Sequence, residues 1–293
     1  MSVLKEPLAT PSRIRGIYRY LLQVEGQREK REVIEKILSP NELVKNAPFP
    51  RPMLSRSLNE MCKIKLLLEE NEETFINPNL PEDARDPKIG DRLLPNTLAN
   101  LFFASGSTDD RDFGNVCAWF LVQDIYEFHG TWKVVEREVT QQGVGELLKM
   151  SNNALFGQMD DWMCYMGLAW GHALDGRVTV PDPSLYIKRN LKDLFEEQVG
   201  TKILLQVFID RLAKKCPLFE TGQFRETIEE HIGYRQPNYL STSTAFALFR
   251  LQDEGYIQLK RESDADLMIL PKANNQVDDD GRMSHIIWEG KAV

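Results

Sequence analysis

The hydrophobic positions of the chain follow one pattern twice: amphipathic helices come first, and two short apolar runs follow. Near the start, "PSRIRGIYRYLLQVEG" has apolar residues at three- and four-residue spacing. This spacing predicts a helix whose inner face is formed by Ile14, Ile17, Tyr18, Leu21 and Leu22. Two shorter helices are predicted next, with inner sides formed by Val33, Ile34, Ile37 and Leu38 and by Leu58, Met61 and Cys62. "KLLLEENEETFINP" then predicts two strands about a polar turn, Glu69 to Glu73.

The same order returns near the end of the chain. "KILLQVFIDRLAKKC", "GQFRETIEEHIG" and "STSTAFALFRLQDEG" predict three helices, and "YIQLKRESDADLMIL" predicts a hairpin that Pro271 closes. Gly255 is suited to end the third of these helices. The β-rich "SHIIWEG" of the tail is expected to return as an extra strand beside this hairpin. Three helices followed by a hairpin are typical of a winged helix-turn-helix module.

The fold class that these patterns predict is mainly α with small β-hairpins. Two winged helix-turn-helix modules, residues 1–80 and 201–271, flank an all-helical middle region, residues 95–200. That region carries many aromatic residues, among them Trp119, Trp162 and Trp170, which helix-on-helix packing would bury. The loop at residues 81–94 is rich in Pro and Asp and is expected to be a linker. Residues 272–293 form the tail.

Composition fits a globular protein with a core of ordinary size. The chain has 293 residues, of which 42% are hydrophobic and 27% charged. No apolar run reaches the roughly 18 residues of a membrane span, so we expect no membrane association. The first sixteen residues, "MSVLKEPLATPSRIRG", lack the apolar core of a signal peptide. The expected location is therefore the cytoplasm.

Charge is distributed unevenly along the chain, whose net charge is −8. Residues 81–200 have 19 acidic side chains against 11 basic ones, whereas residues 1–80 have 11 against 13 and residues 201–271 have 10 against 9. A protein that binds DNA without sequence preference is more often basic. The two predicted modules are close to neutral, so either one has room for a local basic face.

Few residues indicate a cofactor, a metal or a catalytic group. The four cysteines are far apart without a C-x-x-C, so free thiols are expected rather than disulfides or a zinc site. The chain has no P-loop, dinucleotide fingerprint or G-x-S-x-G, which argues against an ATPase, a dinucleotide enzyme and an α/β-hydrolase. Asp160 and Asp161 are neighbours on a predicted helix and make a poor acid/base pair. His172 and Asp175 have no nucleophile nearby.

The candidate DNA-binding residues of the first module lie on its third helix and its flanks. Arg56, Asn59 and Lys63 are three or four residues apart on one helix face, and Lys65 begins the wing strand. Arg13 and Arg15 lie at the start of the first helix. Arg and Asn side chains suit the edges of guanine and adenine. The acidic wing tip "EENEE" argues against contact with DNA through the wing.

In the second module the candidates are Arg250 on the third helix and Lys260 and Arg261 at the wing. Asp264 and Asp266 follow them, and the apolar run from Ala245 to Phe249 favours a helix buried on two sides. The Ser/Thr cluster before that run is typical of a helix cap. A protein-facing module is at least as well supported here as a DNA-facing one.

Four stretches of the chain resemble DpdG-type proteins: "PSRIRGIYRYLL", "MDDWMCYMGLAWG", "VPDPSLYIKRNLKDLF" and "STSTAFALFRLQDEGYIQL". DpdG-type proteins accompany the bacterial 7-deazaguanine DNA modification and restriction cluster. The resemblance covers most of the chain. It implies a non-catalytic component of an antiviral DNA restriction system and brings no catalytic residues with it.

Three functions remain open at this point. The leading one is a non-enzymatic DNA-binding or scaffolding subunit of a defence complex, with double-stranded DNA and other subunits as partners and without cofactor or metal. The second is a protein–protein adaptor without DNA contact, which could act as a homodimer. The third is an Mg²⁺-dependent nuclease that uses Glu289 and Lys291 of "WEGK", with Asp266 or Asp280 as a further ligand.

Overall fold

The computed structural model describes residues 2–43, 51–103, 111–173, 176–273 and 281–291. They are mainly helical and carry small antiparallel sheets, as the sequence predicts. The chain divides into two units, Met1–Phe102 and Phe103–Val293. Within the described ranges, no helix combines the length and the apolar character that crossing a membrane requires.

The first unit has three helices and a three-stranded sheet, followed by a fourth helix. Its elements are α1 (Pro11–Gln23), β1 (Arg28–Lys30), α2 (Arg31–Leu38), α3 (Pro52–Lys63), β2 (Leu67–Glu70), β3 (Glu73–Ile76) and α4 (Gly90–Phe103). The predicted hairpin is confirmed, because β2 pairs antiparallel with β3. Strand β1 was not predicted; it pairs with the other edge of β3, so the strand order is β1-β3-β2.

Helix α1 contributes one complete face to the core of the first unit. All five residues of its predicted inner face are buried, and α3 adds Leu58 and Met61. The Tyr18 hydroxyl donates a hydrogen bond to the Ala84 carbonyl oxygen at 2.7 Å, and burial raises the pKa of this phenol. The prediction for α2 is wrong in part: Ile34 is buried, but Ile37 and Leu38 are exposed because this eight-residue helix turns one short face inward.

Residues 81–94, predicted to be a linker, are instead held against α1. Gln23 and Gln27 donate side-chain hydrogen bonds to the carbonyl oxygens of Pro87 and Arg85. A Cβ on Gly90 would lie 2.2 Å from the Ala84 carbonyl oxygen, so the chain folds closely on itself where α4 begins. The Pro- and Asp-rich composition that predicts a linker therefore belongs here to a series of packed turns.

The second unit contains eight helices among its described residues. They are α5 (Arg111–Val122), α6 (Trp132–Gln141), α7 (Gly145–Leu148), α8 (Asn153–Met166), α9 (Ser184–Leu194), α10 (Leu205–Lys215), α11 (Gln223–Ile232) and α12 (Thr242–Asp253). Helix α5 is the centre of the unit, because every residue from Phe113 to Leu121 is buried. It packs against α8, α11 and α12.

The middle region is not all-helical, which corrects the prediction for residues 95–200. Helix α8 ends at Gly167, whose φ of 79° is left-handed, and the chain then forms the hairpin β4 (Trp170–His172) and β5 (Val178–Val180). The all-helical prediction extends through "GLAWGHAL", residues 167–174, where apolar residues keep a helical spacing. Gly167 ends that helix, and its carbonyl oxygen accepts a hydrogen bond from the Tyr186 amide.

The predicted hairpin at residues 256–270 is also wrong. Strand β7 (Ile257–Lys260) pairs with β10 (His285–Trp288), and β8 (Met268–Ile269) pairs with β9 (Arg282–Met283). The prediction that the tail returns as a strand beside β7 is confirmed. Strand β10 is central, because β6 (Lys202–Leu204) pairs with its other edge. Ile286, Trp288, Ile257 and Leu259 are buried in alternation, which fixes this pairing.

A buried carboxylate connects α11, α12 and the chain between them. Glu220 accepts hydrogen bonds from the hydroxyls of Ser241 at 2.6 Å and Thr244 at 2.5 Å, and it pairs with Arg235. Ser241 is also the N-cap of α12. Arg225 is fully buried nearby, with its Nη1 3.8 Å from Glu229. Burial alone would raise the pKa of Glu220, but Arg235, Arg225 and the two hydroxyls lower it to about 2.

The pKa of Glu220 makes the stability of the second unit pH-dependent. Because the folded pKa is below the ordinary carboxyl value, this stability is present above about pH 4.5 and is lost as the pH falls toward 2, by about 3 kcal/mol. Glu220→Gln should remove this dependence and destabilise the unit by about 3–5 kcal/mol at neutral pH, since it leaves Arg235 and Arg225 to share the single carboxylate of Glu229.

Urea unfolding followed by Trp fluorescence checks this prediction, because all five Trp residues lie in the second unit. The matched control is Glu230→Gln, an exposed position on α11. It should change the free energy of unfolding by less than about 0.5 kcal/mol. Equal acid sensitivity in the Glu220 variant and the wild type would contradict the assignment.

Gly130 allows a close approach between the chain before α6 and the β4–β5 hairpin. The Thr179 amide donates a hydrogen bond to the Gly130 carbonyl oxygen, and a Cβ on Gly130 would lie 1.9 Å from the Thr179 carbonyl oxygen. Gly130→Ala should therefore destabilise the second unit by about 1–3 kcal/mol. Gly157→Ala on α8 meets nothing within 4 Å and should stabilise it by about 0.5–1 kcal/mol. Thermal unfolding of both variants tests the pair.

Candidate nucleic-acid interface

The face of α3 that the sequence predicts for DNA contact has its charges already paired. Arg56 is exposed, with its Nη1 3.5 Å from an Oε of Glu6. The Oδ1 of Asn59 accepts a hydrogen bond from Arg31 at 3.3 Å. Lys63 forms an ion pair with Glu60 one turn earlier, and its side chain is 20% exposed. The face therefore has the predicted residue types but little unpaired positive charge.

Carboxylates surround this face. Arg31, which also bonds to Asn59, forms an ion pair with Glu69, with an Nη1–Oε1 distance of 2.7 Å. Its Nε lies 3.6 Å from an Oε of Glu35. An open groove of about 510 Å³ beside it is lined by five carboxylates and two basic side chains: Glu32, Glu35, Glu69, Glu70, Glu72, Lys30 and Arg31. Burial and then Glu69 raise the pKa of the Cys62 thiol to about 11. This environment repels phosphate.

The turn between β2 and β3 is acidic and conformationally demanding. Glu70 pairs with Glu73, so the loop consists of Asn71 and Glu72, with φ values of 51° and 68°. Two left-handed residues in a two-residue loop define a type I′ turn, in which Gly is preferred at the second position. Glu72 therefore occupies a position where an L-residue is strained.

Glu72→Gly should stabilise the hairpin by about 0.5–1 kcal/mol, because glycine adopts this conformation without steric cost. The control Glu70→Gly removes the same charge from a strand residue, where glycine should destabilise by a similar amount. Hydrogen exchange of the β3 amides measures both effects. Stabilisation by both variants would show that charge repulsion, not backbone strain, dominates at the turn.

The other candidates of the first unit hold its fold together. Arg13 donates a hydrogen bond to the Leu8 carbonyl oxygen at 2.8 Å. Arg15 forms two hydrogen bonds to Asp91, at 2.8 and 2.7 Å, which lower the pKa of that carboxyl. Lys65, with a φ of 60°, follows the end of α3, and its carbonyl oxygen accepts a hydrogen bond from Asn77 at 2.7 Å. Its side chain is exposed.

The candidates of the second unit are not brought together on one recognition helix. Arg250 on α12 donates to Asp182 at 2.7 Å and to Glu254 at 3.1 Å. Lys260 and Arg261 are exposed at the end of β7. The first turn of α12, Thr242–Thr244, is buried: Ser243 donates to the Leu121 carbonyl oxygen at 2.5 Å. That turn is therefore packed inside the unit rather than exposed to a groove of DNA.

The residues considered for catalysis make structural contacts. The Lys291 ammonium donates a hydrogen bond to the Glu254 carbonyl oxygen at 2.9 Å, and Arg177 pairs with both Asp160 and Asp161. Asp175 and Asp280 lie outside the described residues. Within the described ranges, no group of three or more His, Cys, Asp and Glu residues is placed to hold a metal ion. The four cysteines are free thiols, as predicted.

The fold and these surfaces define a mainly helical protein with two units and locally neutralised basic faces. A model of DpdG-like proteins matches residues 1–265, most of the chain, so the chain belongs to the DpdG-like family. This membership indicates a role in the DNA modification system with which DpdG is associated. The chain has no significant match among curated proteins or among solved structures.

The pairing partners on the α3 face are what sequence reasoning missed. Glu6 is 50 positions away from Arg56, and Arg31 is 28 positions away from Asn59, so no local pattern links them. The one available signal was the run of glutamates at the turn between β2 and β3. It correctly indicated that this side of the first unit is acidic.

Proposed function

We propose that this protein is a cytoplasmic, non-catalytic scaffold subunit of a bacterial DNA modification and restriction complex. In this proposal its two units contain winged-helix modules that contact proteins rather than read DNA. The observation that carries the proposal is the paired and carboxylate-lined face of α3. A winged helix reads DNA with exposed polar and basic residues of its third helix, and here those residues already have partners.

The element order supports the assignment of the first module. Helix α1, strand β1, helices α2 and α3, and strands β2 and β3 follow each other, with β3 central in the sheet. Strand β1 leads directly into α2, between Lys30 and Arg31. A short strand that pairs with the wing hairpin in this way completes the predicted helix-and-wing pattern.

A second module with the same order is formed by α9, β6, α10, α12, β7 and β10. Strand β6 leads directly into α10, and β10 is central, as β3 is in the first unit. Helix α9 packs against α12, as α1 packs against α3. In this proposal α11 is an insertion between the second and third helices, and the segment with β8 and β9 is an insertion in the wing. The module then begins earlier, and ends later, than residues 201–271.

The buried start of α12 supports a protein-facing role for the second module too. Thr242 accepts a hydrogen bond from the Ile125 amide at 3.1 Å, and Ser243 bonds to Leu121. The part of a recognition helix that contacts base edges is its N-terminal part. DNA contact by this helix would therefore require the second unit to open.

Duplex binding measured by fluorescence anisotropy from about 50 to 300 mM salt tests the proposal. We expect weak binding with a shallow salt dependence, unchanged in the triple variant Arg56→Ala, Asn59→Ala, Lys63→Ala. If these residues bound phosphates, the variant would reduce the slope of log K against log salt by about 2, since it removes two cations. That result would overturn the scaffold assignment.

Co-purification with the other proteins of the modification system tests the scaffold role directly. A stable complex that survives salt above about 300 mM is expected, because its contacts are not mainly with phosphate. The molar mass of the isolated chain, measured by light scattering, shows whether it forms a homodimer without those proteins. Mg²⁺-dependent DNA cleavage that is lost in Glu289→Ala would instead establish the nuclease alternative.

A further inference from the structure

A small cleft in the second unit presents an exposed tryptophan beside paired basic residues. The cleft has a volume of about 330 Å³, and its lining includes Trp170, Leu185, Lys188, Arg250 and Glu254. Trp170 is 55% exposed and Leu185 is 42% exposed. Tryptophan is largely buried in most proteins, so an exposed indole on the wall of a cleft indicates a contact surface.

The indole is presented by regular structure rather than by a loose loop. Trp170 lies in β4 and is paired with Val180 of β5. Its ring lies 5.4 Å from the ring of His172, two residues further along the same strand. Gly130 joins the hairpin to the chain before α6 through Thr179. The ring is therefore held at the cleft before any ligand arrives, which lowers the entropy cost of binding.

Contacts within the unit orient the basic side chains of the cleft, but they do not use all the N–H donors of Arg250. The hydrogen bonds that Arg250 makes to the described residues use its Nε and Nη1, through Glu254 and Asp182. The guanidinium has five N–H donors and remains 46% exposed, so donors are available to a ligand. Lys188 is fixed over the ring of Tyr256, with its Nζ 3.8 Å from the ring centroid, and pairs with Glu254.

The charges that line the cleft balance: Lys188 and Arg250 are matched by Asp182 and Glu254. Lys291 lies beyond this lining, with its Nζ bonded to the Glu254 carbonyl oxygen and 5.6 Å from the centroid of Tyr256. This contrasts with the acidic groove of the first unit, where five carboxylates surround two cations.

We propose that this cleft binds a single unpaired nucleobase together with its phosphate. An indole stacks on the face of any base, and a guanidinium with available donors suits phosphate or a base edge. The volume fits one nucleoside, and a base pair in a duplex does not offer its face to a tryptophan. A lipid tail would cover the charged groups of Lys188, Arg250, Asp182 and Glu254 without giving them a polar partner, and an uncharged aromatic peptide would gain nothing from the cations.

A free nucleotide and an unpaired base within a strand have the same chemistry at this site. This inference goes beyond the proposed scaffold role and does not depend on it. The scaffold proposal concerns duplex binding by the helix α3 face in the first unit, whereas this cleft is built from β4, α9 and α12 of the second unit. Either one can fail without the other.

The probes are a fluorescein-labelled five-nucleotide single strand of mixed sequence, the duplex of that sequence, and guanosine and thymidine monophosphates. We expect the single strand to bind at least 10-fold more tightly than the duplex. Trp170→Ala should weaken single-strand binding about 5- to 100-fold, while Trp170→Phe should keep most of it. Arg250→Gln should weaken binding and reduce its salt dependence.

The control variant is Tyr234→Ala, which removes an aromatic residue that is 70% exposed elsewhere in the second unit. It should leave the affinity unchanged. Binding of the monophosphates as well as the strand identifies a nucleotide site, and binding of the strand alone identifies an unpaired base in a chain; both support the proposal. Nucleotide binding that Trp170→Ala does not weaken overturns the proposal. So does Trp170-dependent binding of an acidic peptide containing phenylalanine that neither the single strand nor the monophosphates displace.

Discussion

The buried carboxylate of Glu220 is the interaction on which the organisation of the second unit depends. It caps the start of α12 through Ser241 and Thr244, and it compensates the charge of Arg235. A buried ion pair contributes little net stability compared with an apolar contact, but it is costly to break. Its main effect is therefore on position, because it fixes the start of α12. The other end of α12 brings Arg250 and Glu254 to the Trp170 cleft.

The same principle, a cation held by a carboxylate distant in sequence, determines which surfaces of the protein are positive. In the first unit, Arg15 bonds to Asp91 and Arg31 bonds to Glu69. Exposed pairs of this kind contribute at most about 1 kcal/mol each to stability. Their larger consequence is electrostatic, because each one removes a point of attraction for phosphate. A net charge of −8 then leaves little long-range steering toward DNA.

Sequence reasoning predicted what depends on local periodicity and missed what depends on distant partners. The inner face of α1, the β2–β3 hairpin and the returning tail strand all follow from apolar spacing, and the structure confirms them. Strands β1 and β6 are three residues long and have no readable period. The partner strand of β7 lies 25 to 31 positions further along the chain, whereas local spacing favours the nearer apolar run at residues 268–269.

The prediction that helix packing buries Trp170 is wrong, and the reason shows why the sequence alone does not predict the cleft. Trp119 and Trp162 are buried, as the dense aromatic pattern predicts, but Trp170 is exposed. The difference arises at Gly167, where the left-handed backbone ends α8 and directs the chain into β4. On a continued helix the indole would lie on the same face as Met163 and Met166, both of which are buried. In the strand it faces solvent. The residue that disrupted the helical pattern is thus the one that separates Trp170 from the core and makes it available to a ligand.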